Sequence, residues 1–168
     1  MPENRLGITE PAELAREEER ISKKKALLLF ESGLLDTMEA GTFDSLAKIH
    51  RFLFEDIYEF AGEVRKVNIA KGNFRFAPLM YLPASLENID KMPQSAFDEI
   101  IEKYVEMNIA HPFREGNGRS MRSWLDQILK KQERGGSLPH RFLYFWFLLF
   151  GLSGIVRSIN FCSSAGFR

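Results

Sequence analysis

The sequence lacks three features that would place it in a common class of protein. It has one cysteine, Cys162, which excludes an internal disulfide and a zinc site built from several cysteines. Its 23 lysines and arginines balance 23 aspartates and glutamates, so there is no basic signal for nucleic acid. Its apolar segment Phe142–Val156 has 15 residues, short of the ~20 that a bilayer span needs. We therefore expect no nucleic-acid partner and no membrane association.

The N-terminal residues also lack an apolar core behind a basic start, so no signal peptide is expected. Together with the single cysteine, this favours a cytoplasmic location. The length of 168 residues suits one domain. No acidic residue follows Glu133, and the sequence beyond it is basic, apolar and rich in aromatic side chains. We therefore predict a domain over residues 1–133 and an atypical tail over residues 134–168, in which His140 and Cys162 have no assigned role.

Apolar residues at helical spacing predict a mainly α-helical fold. Leu46, Ile49, Leu53 and Ile57 recur every three or four residues, which indicates a helix with one buried stripe. His50 lies beside that stripe without a metal-ligand partner at helical spacing, so a packed or surface histidine is expected. The predicted helices span Pro11–Glu31 (ended by Gly33), Thr42–Phe60, a segment from Pro78 and Pro83 to Ile89, Ser95–Ile109 and Arg119–Glu133.

One segment departs from the helical pattern. Residues alternate in character on both sides of Lys71-Gly72-Asn73, which has the composition of a tight turn. We therefore predict a β-hairpin over Val64–Ala77, the only sheet in an otherwise helical protein.

A glycine-containing loop at His111–Gly118 has the composition of an anion site. Gly116 and Gly118 allow the backbone to approach a ligand closely, and the helix that follows presents its positive N-terminal end to the same place. Arg119 and Arg122 lie three residues apart, on one face of that helix, where they could bind further phosphate oxygens.

Two further residues of this loop add chemistry to the anion site. Glu115 could hold Mg²⁺, which usually takes one or two carboxylates together with substrate phosphates. His111 can accept a proton at neutral pH. A base, a metal carboxylate and a phosphate cradle within twelve residues indicate an Mg-nucleotide transferase. The chain has no GxxxxGK(S/T) loop, so a nucleotide would be held in this other way.

The same loop carries a resemblance to a known family. HPFREGNGRSMR matches the Fic signature, HxFx(D/E)GNGRxxR, at every specified position. The segments DIYEFAGEVRKVNIAKGNFRFAP and RLGITEPAELAREEERISKKKA also resemble short bacterial Fic proteins. The resemblance covers about residues 4–133, with the Fic core at about residues 36–133. It implies a helical Fic domain with a hairpin, called the flap, beside the catalytic loop.

The resemblance implies a protein adenylyltransferase, which transfers AMP from ATP to a Tyr, Ser or Thr hydroxyl of a target protein and releases pyrophosphate. His111 would be the catalytic base and Glu115 the Mg²⁺ ligand. Gly116, Asn117 and Gly118 would form the anion hole, with Asn117 on the α-phosphate. Arg119 would hold the β-phosphate and Arg122 the γ-phosphate.

The flap would dock the target as an added strand through backbone hydrogen bonds. Its residues are Val67, Asn68, Ile69, Ala70, Lys71, Gly72, Asn73, Phe74, Arg75 and Phe76. Other Fic relatives transfer the γ-phosphate or phosphocholine. Kinase-type loops carry lysine at the second glycine, so Gly118 favours AMP transfer here.

The sequence also bears on how the activity would be regulated and on whether the protein is active. Many Fic proteins carry a helix with an (S/T)xxxE(G/N) motif, whose glutamate pairs with the second motif arginine, here Arg122. This pattern is absent from the chain, so Arg122 is expected to be free of an internal clamp, and a separate antitoxin-like protein could supply one. The alternative is a catalytically impaired Fic-like protein with a non-native or membrane-associated tail.

Overall fold

The computed structural model describes residues 3–134, and the tail predicted over residues 134–168 lies outside them apart from the end of the last helix. Most of the described residues are helical, and one two-stranded antiparallel hairpin joins them, which confirms a mainly α fold. The helices are α1 (Pro11–Glu31), α2 (Phe43–Phe54), α3 (Leu82–Lys91), α4 (Phe97–Ala110) and α5 (Asn117–Arg134), and the strands are β1 (Ala70–Lys71) and β2 (Phe74–Arg75).

Helix α1 has the predicted bounds because both of its ends carry clear signals. The Glu10 carboxylate accepts hydrogen bonds from the backbone N–H groups of Ala12 and Glu13, and proline occupies the first turn. At the other end Gly33 adopts the left-handed conformation, with φ of 71°, and a short 3₁₀ helix over Leu34–Thr37 follows.

Helix α2 is shorter than predicted. It begins after Thr42, whose hydroxyl accepts from the backbone of Ser45 as expected of a cap. It ends at Phe54 rather than Phe60, and the chain then folds back through Gly62, which has φ of 82°. Ile57 is nevertheless fully buried, so the apolar spacing predicted its burial correctly while the helix had already ended.

The ends of α4 and α5 also differ from the prediction. Helix α4 has Ala96 rather than Ser95 at its N-cap, because the Glu99 carboxylate reaches back to the backbone N–H groups of both residues. Helix α5 begins at Asn117, two residues before the predicted start. The second glycine of the loop, Gly118, therefore lies in the first helical turn.

The hairpin is much shorter than the predicted Val64–Ala77. Strand pairing is limited to Ala70 with Arg75 and Lys71 with Phe74, around a turn in which Gly72 has φ of 59°. One further backbone bond joins the two sides of the hairpin, from the Phe76 N–H to the Ile69 carbonyl at 3.3 Å.

The core is centred on α2, which packs against both α1 and α5, while α4 packs against α3 and α5. The Trp124 indole N–H donates to the Thr42 carbonyl and the Ser45 hydroxyl, which joins α5 to the start of α2. Within residues 3–134, no helix is long and apolar enough to cross a membrane. This arrangement places the end of α4 and the start of α5 side by side.

Candidate active site

The base predicted from the sequence, His111, follows directly on the last residue of α4. It has φ of 49° and ψ of 62°, and it is the one non-glycine residue of the described chain with a positive φ. Its Nδ1 lies 3.3 Å from the Asn108 carbonyl oxygen. Because a carbonyl only accepts, Nδ1 carries the proton and Nε2 is left as the basic nitrogen. The Phe76 ring stacks on the imidazole, with 3.7 Å between ring centroids.

The surroundings of His111 keep its imidazole neutral. Burial lowers the pKa of His111 to about 4, and the charges of Arg65 and Lys71 act in the same direction against the hydrogen bond to Asn108. At neutral pH the side chain is therefore a free base. This is the protonation state that removal of a proton from a hydroxyl group requires.

The loop after His111 is braced by Asn117. Its side-chain amide accepts from the Phe113 backbone N–H at 2.9 Å and donates to the Phe113 carbonyl at 2.7 Å. Phe113 is completely buried, as predicted. The Asn117 side chain is thus occupied within the loop, which leaves its backbone N–H as the group that can face a phosphate.

The start of α5 presents backbone donors. Ser120 makes the first backbone bond of the helix, to the Gly116 carbonyl. The N–H groups of Asn117, Gly118 and Arg119 precede that bond, and no described residue accepts from them. Gly116 has φ of 76°, and a Cβ built on it would lie 2.5 Å from the Phe54 ring. Only glycine fits this close turn at the start of the helix.

His50 supports the same loop from α2. Its Nδ1 accepts from the Gly62 N–H at 2.8 Å, so its Nε2 carries a proton and donates to the Glu115 carbonyl at 2.8 Å. Its ring stacks on Phe113, and burial lowers the pKa of His50 to about 4. Of the packed or surface position expected for this histidine, the structure shows the packed one, and no local pattern predicted its contact with the loop.

The carboxylate of Glu115 fits the predicted role of a metal ligand. The side chain is exposed, and it forms neither a hydrogen bond nor an ion pair with another residue in the range 3–134. Partial desolvation raises the pKa of Glu115, and Arg114 and Lys71 oppose that rise. A nearby cation would offset this desolvation. No cluster of three metal-binding side chains exists in the described part of the chain, so substrate phosphates would complete such a site.

Arg119 contacts α1 rather than open solvent. Its guanidinium pairs with the Glu18 carboxylate and donates to the Glu18 carbonyl at 3.2 Å and to the Ser22 hydroxyl at 2.7 Å. Three of its five N–H donors are thus used, and two remain for a ligand. Tyr58 donates its hydroxyl to the same Glu18 carboxylate. Burial lowers the pKa of Arg119 to about 10, with a further contribution from Arg122, and the guanidinium stays charged at neutral pH.

Arg122 is exposed, unlike Arg119, and forms no ion pair with a residue of the described range. The glutamate that reaches this arginine pair therefore comes from α1 and contacts the first arginine. Glu18 does not match the (S/T)xxxE(G/N) pattern, because Leu14 lies four residues before it and Glu19 follows it. The signal that could have indicated this contact is the spacing of Glu18 and Ser22, which lie four residues apart on one face of α1.

The ten flap residues surround the short hairpin and are mostly exposed. Val67 and Phe74 are about half exposed, whereas Phe76 turns inward onto His111. The Asn68 side chain accepts from the Leu79 backbone N–H at 2.8 Å, which fixes the flap to the segment after it. The flap therefore lies beside the base, with its own backbone open to solvent.

These elements define a helical domain with a neutral histidine beside a helix N-terminus whose first backbone N–H groups have no acceptor among the described residues. A model of the Fic/DOC family matches residues 41–129, more than half of the chain. The chain belongs to this family, and the resemblance seen in the signature HPFREGNGRSMR is confirmed.

Relatives of known name and structure agree with the family. Protein adenylyltransferase VbhT of Bartonella schoenbuchensis is 34% identical over 76% of this chain and 28% of that protein. Probable protein adenylyltransferase Fic of Salmonella typhimurium is 31% identical over 74% of this chain and 66% of its own length. The crystal structure of BepC from Bartonella tribocorum with bound AMPPNP shares the fold, with a TM-score of 0.60 and 20% identity over 77% of this chain and 73% of that chain. The chain thus spans only part of each relative.

Proposed function

We propose that this domain is a protein adenylyltransferase that transfers AMP from ATP to a Tyr, Ser or Thr hydroxyl of a target protein. The observation that carries the proposal is the neutral His111 beside three backbone N–H groups at the start of α5; neither Nε2 of His111 nor these groups have a hydrogen-bond partner within residues 3–134. Two relatives of the same family are named protein adenylyltransferases, and BepC binds an ATP analogue.

The reaction assigned to these residues is an in-line displacement at the α-phosphate. Nε2 of His111 accepts the hydroxyl proton as the oxygen forms a bond to the α-phosphorus. The bond from that phosphorus to the bridging oxygen breaks, and pyrophosphate leaves with the electron pair. The product is a phosphodiester between AMP and the target side chain.

Separate groups of the site would bind the separate phosphates. The backbone N–H groups of Gly116, Asn117 and Gly118 would form the anion hole, with Asn117 on the α-phosphate. The two N–H donors of Arg119 that α1 leaves available would hold the β-phosphate, and the exposed Arg122 would hold the γ-phosphate. Glu115 would hold Mg²⁺, which neutralises charge on the phosphates.

The position of Gly118 favours AMP transfer over phosphate transfer. A Cβ at Gly118 would meet only the Arg122 guanidinium, at 3.4 Å, so this side of the helix N-terminus is open. The test is product analysis with ATP labelled at either phosphate. Label on protein from α-labelled ATP supports the proposal, and label from γ-labelled ATP alone contradicts it.

The flap would bind the target segment beside His111. The backbone of β1 and β2 has free edges, because the described sheet contains only these two strands. An extended segment could pair with one edge and bring its hydroxyl to the base. Backbone pairing tolerates many side chains, so the flap selects a shape rather than one sequence.

Replacement of Arg119 and of Arg122 should weaken ATP binding alike but should affect the stability of the fold differently. Either Arg119→Ala or Arg122→Ala should weaken ATP binding by about 10–100-fold, the loss of one charged hydrogen-bond donor. Arg119→Ala should also lower the free energy of unfolding, because Glu18 loses its partner. Calorimetric ATP titration and urea unfolding would measure both effects. Equal stability losses in the two variants would contradict the assignment of Arg119 to α1.

Control of the activity would come from outside the described residues. Arg122 is exposed and forms no ion pair with a described residue, and its charge acts on the Asp126 carboxyl one turn further along α5. We propose that a separate, antitoxin-like protein covers Arg122. A tail that impairs catalysis is the alternative, and it concerns residues 135–168, which lie outside the described part. Automodification by the full chain with α-labelled ATP would exclude that alternative.

A further inference from the structure

We propose that Arg65 is a positioning residue, which holds the two ends of the flap at a fixed position relative to the backbone of the proposed base, His111. The inference rests on the proposed function and deepens it, because it assigns a residue outside the signature to the same reaction. Arg65 is 3% exposed and lies before the flap, on the segment that follows Gly62.

The guanidinium of Arg65 donates only to backbone carbonyls. Nε donates to His111 at 2.8 Å, and Nη1 donates to Val67 at 2.7 Å. Nη2 donates to Ala77 and, at 3.2 Å, to Ala110. Four hydrogen bonds from one planar group fix the relative positions of three segments, namely the end of α4, the entry to the flap and its exit.

On the side of α4, Arg65 stabilises an unusual backbone. The last carbonyls of a helix lack intrahelical donors, and a cation beside them is favoured by the helix dipole. Arg65 satisfies two such carbonyls, those of Ala110 and His111. It thereby holds His111 in its left-handed conformation, which is unfavourable for a residue with a Cβ. The backbone N–H of Arg65 adds a bond of 2.8 Å to the Pro112 carbonyl.

On the side of the flap, Arg65 forms hydrogen bonds to residues at both ends of the hairpin. Val67 and Ala77 stand on either side of it, and both carbonyls point to the same guanidinium. The Ala77 N–H donates in turn to the Ile109 carbonyl at 3.0 Å. Phe76, the neighbour of Ala77, is thereby placed on the His111 ring. The base and the segment proposed to dock the target are thus positioned by one side chain.

A buried cation elsewhere in the domain provides a matched control. Lys103 is 2% exposed and donates to the carbonyls of Asp90 and Met92 at the end of α3. Like Arg65, it satisfies helix-end carbonyls, but it contacts neither the flap nor His111. If Arg65 were only a structural cation, its removal should have the same effect on AMP transfer as the removal of Lys103.

The experiment compares Arg65→Lys, Arg65→Met and Lys103→Met in the full chain. Each variant is assayed for kcat of AMP transfer and for Kd of ADP, whose binding does not need the flap. We expect kcat to fall about 100-fold in Arg65→Met, the cost of a small misplacement of reacting groups, with Kd of ADP nearly unchanged. Arg65→Lys keeps the charge without the planar fork and should lose about 10-fold. Lys103→Met should keep the wild-type kcat in its folded fraction.

Two further measurements test the inference even if the Arg65 variants fold poorly or the wild-type protein is inactive. Phe76→Ala leaves Arg65 and its carbonyls intact and should also lower kcat, because it removes the flap contact on the base. Hydrogen exchange should quicken jointly in residues 67–77 and 108–113 of Arg65→Lys, and not in Lys103→Met. This exchange result decides the inference even if the wild-type protein transfers no AMP, which would contradict the proposed function alone. A wild-type kcat in Arg65→Lys, or exchange that quickens in only one segment, would overturn the inference.

Discussion

His111→Ala should lower the rate of AMP transfer by about 10²–10⁴-fold, the usual contribution of a positioned general base, and should leave nucleotide binding largely intact. The imidazole is free at Nε2 because Nδ1 donates to Asn108, and the phosphates would be bound by other groups at the start of α5. Single-turnover transfer from α-labelled ATP measures the first quantity, and calorimetric titration with ADP measures the second. Transfer at the wild-type rate by this variant would show that another group is the base.

The pH profile checks the same assignment independently. Burial lowers the pKa of His111 to about 4, so protonation removes the base only at acidic pH. As the pH falls, kcat/KM should therefore stay high below the ordinary histidine pKa of ~6.5 and decline closer to pH 4. A decline centred near the ordinary value would mean that the imidazole is solvated when the enzyme works.

Local sequence signals were sufficient to predict which segments are helical and where the loop between α4 and α5 lies, although the ends of α2, α4 and α5 differ from the prediction. Proline and glycine at the two ends of α1 predicted its bounds, and the spacing of Leu46, Ile49 and Leu53 predicted the buried face of α2. The pattern predicted a loop from His111 to Gly118 between two helices, and the structure differs from it by the two residues with which α5 begins earlier. These features depend on residues close together in the sequence, which a pattern can capture.

The contacts that complete the site join residues far apart in the sequence. Arg65 reaches His111 across 46 positions, and Glu18 reaches Arg119 across 101. A lone arginine before a predicted hairpin, or a glutamate within a charged run, has the appearance of an ordinary surface residue.

Gly116→Ala should be among the most disruptive single methyl additions in the site. Gly116 has φ of 76°, which costs an alanine about 1–2 kcal/mol. The new Cβ would also lie 2.5 Å from the Phe54 ring, and such overpacking costs typically about 1–3 kcal/mol. Phe54 is completely buried, so it can move only at the expense of the core. We expect a loss of about 2–5 kcal/mol in the free energy of unfolding, measured by urea denaturation.

Gly33→Ala separates the cost of the backbone conformation from the cost of the clash with Phe54. Gly33 has nearly the same φ as Gly116, but its added Cβ would contact no other atom. Gly33 has φ of 71°, and no atom lies within 4 Å of its added Cβ. This control should lose only the conformational cost of about 1–2 kcal/mol and keep its AMP transfer. Gly116→Ala should also lose transfer by about 100-fold, since the loop that carries Glu115 and the start of α5 must shift. Adding Phe54→Leu should recover part of its stability, as expected for two groups in contact. Equal losses in the two alanine variants would mean that the Phe54 ring yields freely and that backbone conformation alone requires glycine at position 116.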